Sequence, residues 1–267
     1  MAKLPIALTI AGSDPSSGAG VQVDLKTFWE NGVYGLSVIT AITSQNSQKV
    51  LDVYGLPEDV VSSQLESLFE DFLIDSVKIG MLFSAKIVVA VSNILKKYSV
   101  KKIVLDPVIK SSSGYILLQD DGIDALISEL IPMVSLITPN IYEASLLSGI
   151  EITDENKIFT AAKKIYKLGA KNVLIKGGHL NTKKQSIDFL YDGNSIYRFS
   201  QKRFQNKEVH GTGCIYSSAI AANLAKGHNI IDSVKNAKSF METVLNSSLC
   251  LGKGVNFWIK HQRDLFC

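Results

Sequence analysis

The sequence predicts a three-layer α/β fold around a central, mostly parallel sheet. Three observations carry that prediction. Short apolar runs alternate with longer amphipathic runs along nearly the whole chain, the pattern of helices covering both faces of a parallel sheet. The chain has 267 residues, of which 46% are hydrophobic and 20% charged, enough apolar material for one large core. No internal repeat, low-complexity tract or long linker divides it, so residues 1–267 read as one domain.

Each element follows from local pattern. Residues 6–10 form the first strand, and 18–30 follow as a helix. Residues 37–43 are rich in β-branched side chains and predict a strand. Residues 58–71 place Val60, Val61, Leu65, Leu68 and Phe69 on one side of a helix. A short strand at 76–79 precedes a helix at 85–98, where Ile87, Val91, Ile94 and Leu95 are apolar. The strand at 103–105 runs into Asp106-Pro107, a helix is expected over 123–130, and the strand at 136–138 stops at Pro139. Asp154 suits the N-cap of a helix that reaches Leu168, with Gly169 as its stop. The strand at 172–175 leads into Lys176-Gly177-Gly178. Residues 188–191 and 195–199 flank Asp192-Gly193 as a hairpin, and helices over 212–225 and 232–249 close the series.

Composition excludes several classes. Net charge is +3, from 28 Lys and Arg against 25 Asp and Glu, and the basic residues are scattered, so no nucleic-acid partner is expected. No run of about 18 uncharged apolar residues occurs, so no membrane span is expected. Residues 1–10 lack the apolar core of a signal peptide. Three cysteines, Cys214, Cys250 and Cys267, without metal-type spacing suit a reducing cytoplasm better than a disulfide framework.

Ligands of such folds bind beyond the carboxyl ends of the strands. The residues there are suggestive. His210-Gly211-Thr212-Gly213-Cys214 precedes a small-residue helix and would aim backbone N–H groups, and the helix dipole, at one anion. Cys214 in that first turn is expected to favour thiolate. The competing reading is a Gly-rich turn with a buried cysteine as a small hydrophobe. Asp24 follows the loop Gly12 to Gly20 and is either a ligand anchor or an acid at a helix start. Gln45 ends a strand and offers a planar acceptor and two donors, matching an aminopyrimidine or pyridine edge, or simply bonds to backbone. Asp106 and Glu143 lie where carboxylates would hold Mg²⁺, though turn and helix-start roles also fit them. Lys176 stands where a cation would meet nucleotide phosphates. His179, His210, His228 and His261 have no metal-type partners nearby in sequence. Anion hole, base, paired carboxylates and lysine make up the parts of a phosphoryl-transfer site. Neither a Walker A sequence nor GxGxxG is present.

Seven segments in order carry a resemblance: LTIAGSDPSSGAGVQVDLKTF at 8–28, VITAITSQN at 38–46, KIGM at 78–81, VLDPV at 104–108, LITPNIYEA at 136–144, LIKGGH at 174–179 and HGTGC at 210–214. Through them the chain resembles the hydroxymethylpyrimidine/phosphomethylpyrimidine kinases of thiamine synthesis, within the ribokinase superfamily, from Ala7 to about Leu251. Pyridoxine/pyridoxal kinases share much of the set and are the alternative. The resemblance implies a ribokinase-like sheet with flanking helices, a homodimer, and ATP with Mg²⁺. It implies phosphorylation of 4-amino-5-hydroxymethyl-2-methylpyrimidine, then of its monophosphate. It implies Gln45, Asp24, Met81 and Val108 at the pyrimidine and Cys214 as base. It places Gly211, Thr212, Gly213 and Cys214 in the anion hole, Lys176, Thr212 and Lys238 at ATP, and Asp106 and Glu143 at the metal. Two departures stand out. Ser17 replaces a glycine of the family's Ser-Gly-Gly-Ala-Gly run, where a positive φ would be costly. Residues 109–114 differ from the family's lid and lack the second cysteine that some vitamin B6 kinases carry there, which favours the pyrimidine.

Overall fold

The computed structural model describes residues 4–177, 185–203 and 208–259, so Gly178, His179, His261 and Cys267 lie outside the described residues. In chain order the elements begin with β1 (Ile6–Ser13), α1 (Gly20–Glu30), β2 (Tyr34–Gln45), β3 (Val50–Gly55), α2 (Glu58–Asp71), β4 (Ser76–Ile79) and α3 (Ala85–Lys97). Next come β5 (Ile103–Leu105), α4 (Asp120–Ala125), β6 (Leu136–Ile137), α5 (Ile141–Ser148), α6 (Glu155–Lys167) and β7 (Val173–Lys176). The series ends with β8 (Gln185–Tyr191), β9 (Ile196–Lys202), α7 (Thr212–Ala225), α8 (Ile230–Asn246), β10 (Ser248–Leu249) and β11 (Phe257–Trp258). The main sheet runs β3-β2-β1-β4-β5-β6-β7-β8-β9. The strands from β2 through β7 in that order are parallel neighbours, while β3, β8 and β9 pair antiparallel at the two ends. The expected α/β/α sheet is therefore present.

The strands alternate between two cores with period two. Leu8, Ile10, Val77, Ile79, Ile103, Leu105, Ile137, Val173 and Ile175 join the cluster under α2, α3, α5 and α6. Ala7, Val104, Leu136 and Leu174 point the other way, into the cluster under α1, α7 and α8. Continuing that second face two residues onward gives Thr9, Lys78, Asp106, Thr138 and Lys176. One sheet face thus turns from apolar to polar at its carboxyl end, beneath the start of α7.

Three differences from the sequence reading have physical causes. β3 escaped pattern reading because it is an edge strand whose apolar residues Leu51 and Tyr54 are exposed. The helix expected over 123–130 begins earlier, at Asp120, and loosens into a π turn at Leu126–Leu130 and a tight 3₁₀ turn at Ile131–Met133 around Pro132. The last helix spans Ile230–Asn246 because the side chain of Asn229, not Asp232, caps it. Asp154 caps α6 through the Lys157 N–H, as expected.

Lys78 and Asp24 form an ion pair of 2.7 Å with both side chains at 0% exposure. Burial works against the ammonium, but Asp24 holds it charged, well above the usual lysine range. Asp24 also accepts from Thr9 Oγ1 at 2.6 Å and Ser218 Oγ at 2.7 Å, joining β1, β4, α1 and α7. Gly80 leaves room for this arrangement, since a Cβ there would stand 2.7 Å from Lys78 Nζ. Removing one partner strands a buried charge. Lys78→Met is therefore expected to lower unfolding free energy by about 3–5 kcal/mol, read from urea denaturation. A loss below about 1 kcal/mol, the range of exposed pairs, would show the pair to be dispensable.

Candidate active site

Two helix N-termini converge at the carboxyl edge of the sheet. α7 begins after Gly211, which adopts φ +71°, and Gly211 to Cys214 are partly exposed while Ile215 to Ala225 are buried. Only glycine fits at 211, because a Cβ would come 2.0 Å from Gly18 O. α1 begins at Gly20, whose backbone N–H faces the Cys214 sulfur. Free backbone donors of both first turns therefore border the Cys214 position.

Lys176 and Asp106 stand under this turn. Lys176 Nζ donates to Asp106 Oδ1 at 2.7 Å, with side chains 17% and 3% exposed. Thr138 Oγ1 donates to the same oxygen at 3.3 Å, and Ser217 Oγ of α7 donates to Oδ2 at 3.3 Å. A Cβ on Gly213 would meet Lys176 Nζ at 3.3 Å and Asp106 Oδ2 at 3.6 Å, so the turn passes close over this pair. Burial opposes charge on Asp106, yet Lys176 and Lys78 hold its carboxyl below the usual range. Burial likewise opposes the Lys176 charge, and Asp106 and Glu143 hold its titration above normal.

Glu143 closes a capping box on α5. Its N–H donates to Asn140 Oδ1 at 2.9 Å and its Oε2 accepts from Asn140 N at 2.8 Å. The helix-start role weighed against a metal role is thus real. Burial raises the Glu143 carboxyl to about 7, with Lys176 opposing and Asp106 adding to the rise. Asp106 and Glu143 are hard oxygen donors beside one another, the kind of pair that holds Mg²⁺ together with phosphate oxygens and water. Among the described residues no cluster of three or more His, Cys, Asp or Glu could cage an ion alone.

Cys214 corrects one expectation. Burial pushes its thiol up to about 11; the attraction of Lys78 is outweighed, and Asp24 and Asp106 add repulsion. The resting site holds a thiol rather than the expected thiolate.

The remaining predicted residues separate into two groups. Met81 and Val108 meet in a small apolar cluster with Ala41, Tyr115 and Leu117. Gly12 permits that approach, since its Cβ would lie 3.0 Å from Met81 Sδ. Gln45 is partly exposed at the end of β2, with its amide toward Asp14. Asp24 departs from its expected place in the pocket lining: its carboxylate is consumed by Lys78, Thr9 and Ser218 beneath the site. Lys238 departs as well. Its ammonium pairs with Asp188 Oδ2 at 2.6 Å, and Asp188 Oδ1 accepts from Gly177 N at 3.1 Å, so it braces the turn after Lys176 from behind. Ser17 does adopt the positive φ of +60° anticipated for its position.

Sequence reading missed Lys78, Asp14 and Asp188. Lys78 had a usable signal, a lone lysine inside an apolar strand. Asp14 lies in a polar loop and Asp188 in a strand, and only the fold supplies the partners of both. The neutral thiol is directly testable. In a Cys250→Ser, Cys267→Ser background, Cys214 alkylation by iodoacetamide should still climb about tenfold per pH unit at pH 9, as expected of a thiolate-dependent reaction below its pKa. A plateau below pH 9 would show that the thiolate already predominates there.

Known proteins resemble this chain along most of its length. The family model described as phosphomethylpyrimidine kinase matches residues 14–258. A hydroxymethylpyrimidine/phosphomethylpyrimidine kinase of Aquifex aeolicus is 49% identical over 249 residues, covering 93% of this chain and 97% of the relative. The crystal structure of a Clostridium difficile phosphomethylpyrimidine kinase superposes with a TM-score of 0.80 at 42% identity, covering 90% of this chain and 98% of that one. A Bacillus subtilis pyridoxal kinase, solved as an ADP complex, superposes with a TM-score of 0.88 at 35% identity, covering 96% and 97%. Backbone shape is thus shared by both kinds of kinase, and sequence identity favours the first. By the extent of the family match and the identity to its relatives, the chain belongs to the phosphomethylpyrimidine kinase family.

Proposed function

We propose that this protein transfers the γ-phosphoryl group of ATP to 4-amino-5-hydroxymethyl-2-methylpyrimidine and then to its monophosphate, supplying the diphosphate for thiamine synthesis. One observation carries the chemistry: the Gly211–Cys214 turn passes close over the Lys176–Asp106 pair. Backbone donors and a fixed cation aimed at one point stabilise charge that spreads over a transferring phosphoryl group. Lys176 and Thr212 contact the ATP phosphates, and Lys238 acts on that contact through Asp188. Asp106 and Glu143 are the residues that would hold Mg²⁺, which would supply neutralisation of phosphate charge. Gln45 recognises the amino edge of the ring, and Met81 and Val108 cover its faces. Asp24 supports this pocket from below by fixing Lys78.

Cys214 acts as base only in its minor thiolate form, after its own thiol proton has left to solvent, and that thiolate receives the hydroxyl proton late. A thiol that titrates near 11 supplies little thiolate at rest, but a loose transition state needs little deprotonation until the new P–O bond forms. Residues 1–267 work as one catalytic domain, in a reducing cytoplasm and as a homodimer. Cys214 and Cys250 are free thiols among the described residues, consistent with that compartment. No described helix is long and apolar enough to cross a membrane.

Two assays test the assignment. ATP consumption with Mg²⁺ should be rapid with the pyrimidine alcohol and with its monophosphate, and much slower with pyridoxine. Turnover of pyridoxine but not the monophosphate would make this a vitamin B6 kinase. In the same assay Cys214→Ala should lower kcat at least tenfold, within the range of acid–base contributions; near-normal turnover would exclude the base role.

Glu143 adds a pH signature. Its folded carboxyl lies above the ordinary glutamate value, near 7, so the carboxylate form grows as pH rises through 7. At limiting Mg²⁺, activity should climb over that interval, and saturating Mg²⁺ should move the climb to lower pH. Glu143→Gln should abolish the shift. A Mg²⁺-independent profile would remove Glu143 from the cation site.

A further inference from the structure

The loop after β1 and the turn before α7 are joined through one carboxylate. Asp14 is 2% exposed and uses both oxygens fully. Oδ1 accepts from Ser16 N at 2.8 Å and Ser16 Oγ at 2.7 Å. Oδ2 accepts from Gly18 N at 3.1 Å, Ala19 N at 2.8 Å and His210 Nε2 at 3.0 Å. Burial alone would raise this carboxyl, but His210, Gln45 and Ser16 hold it far below the usual range, so it is ionised throughout the working range of pH.

His210 is fixed on its other sides as well. Its backbone N–H donates to Asn256 O at 2.8 Å, and the Phe257 ring meets the imidazole edge-on at 5.8 Å between centroids. Gly18 lacks the Cβ that would fall 2.2 Å from the imidazole Cδ2. The residue after His210 is Gly211, pressed on Gly18 O. Asp14 thus sets the distance between the N-terminus of α1 and that of α7.

We propose that Asp14 is a positioning residue for phosphoryl transfer, acting through His210 to hold the Gly211–Cys214 donors in register with the loop at Ser16–Ala19 that leads into α1. The inference rests on the phosphoryl-transfer reading above. Neither side chain needs to touch the reacting atoms. Donors that converge on a transferring group lose most of their effect when misplaced by a fraction of an ångström, while ground-state ATP contacts at Lys176 persist. The consequence is a loss in kcat without a matching change in KM.

The test compares His210→Ala, His210→Gln, Asp14→Asn and the Asp14→Asn, His210→Ala pair against the unsubstituted chain, using the pyrimidine alcohol and ATP. An Asn amide cannot serve all of these donors, Gln45 included, and a Gln amide at 210 can still donate to Oδ2. His210→Ala and Asp14→Asn should each lower kcat at least tenfold, with the KM for ATP within twofold. His210→Gln should recover most of the loss, and the paired variant should be little worse than either single one. A His210→Ala kcat within threefold of the parent, equal impairment of the Ala and Gln variants, or losses that multiply in the paired variant would overturn the inference. If Asp14→Asn does not fold, the two His210 variants decide it. An inert parent chain overturns both this and the assigned reaction; an active parent with unimpaired variants overturns this inference alone.

Discussion

The buried charge layer beneath the first turn of α7 is the constraint on which the rest of this structure depends. Lys78 with Asp24, and Lys176 with Asp106, place two cations and two carboxylates where an ordinary α/β protein would place aliphatic side chains. Such pairs contribute little net stability, since desolvation offsets most of the attraction. Their value lies in geometry. Each carboxylate bonds to α7 as well as to a strand lysine, through Ser218 for Asp24 and Ser217 for Asp106. The helix cannot slide or rotate without breaking both, so its N-terminus is held against the sheet edge.

That fixed N-terminus explains why the turn before α7 can carry unusual chemistry. Its glycines allow close contact with the α1 loop and with Lys176, which side chains would block. The same enclosure that fixes the turn leaves Cys214 only partly exposed and keeps its thiol protonated at rest. Preorganised donors beside a thiol that is rarely ionised suit a reaction whose transition state demands charge stabilisation more than deprotonation. Acyl transfer by a thiolate nucleophile would require the opposite balance.

Substrate choice sits on a different part of the molecule. The backbone superposes better on pyridoxal kinase than on the phosphomethylpyrimidine kinase, although identity to the latter is higher. Shape therefore reports the shared phosphoryl-transfer scaffold. Gln45 stands at the end of β2, and the segment at 109–117 packs against Met81 and Val108. There Lys110 and Ile116 pair as a short bridge, with Ser111 and Gly114 forming the turn between them.

Sequence alone determined the layered fold and marked the sheet edge where the candidate site lies, because period-two and period-3.6 patterns, caps and glycines act over a few residues. The bounds of α2, β4, β5 and α7 and the cap at Asp154 were all legible in this way. It also singled out Lys176, Asp106, Glu143 and the 210–214 turn, since polar residues at the ends of apolar strands have few other reasons to be there. Tertiary structure decided how those residues are shared out. Asp24 and Lys238 are bound by Lys78 and Asp188, partners 54 and 50 residues distant, and so act from behind the site. Asp14 meets His210 across 196 residues. Burial by distant segments turns an expected thiolate into a thiol. Charge pairing and desolvation depend on what surrounds an atom in space, and local pattern does not encode those neighbours.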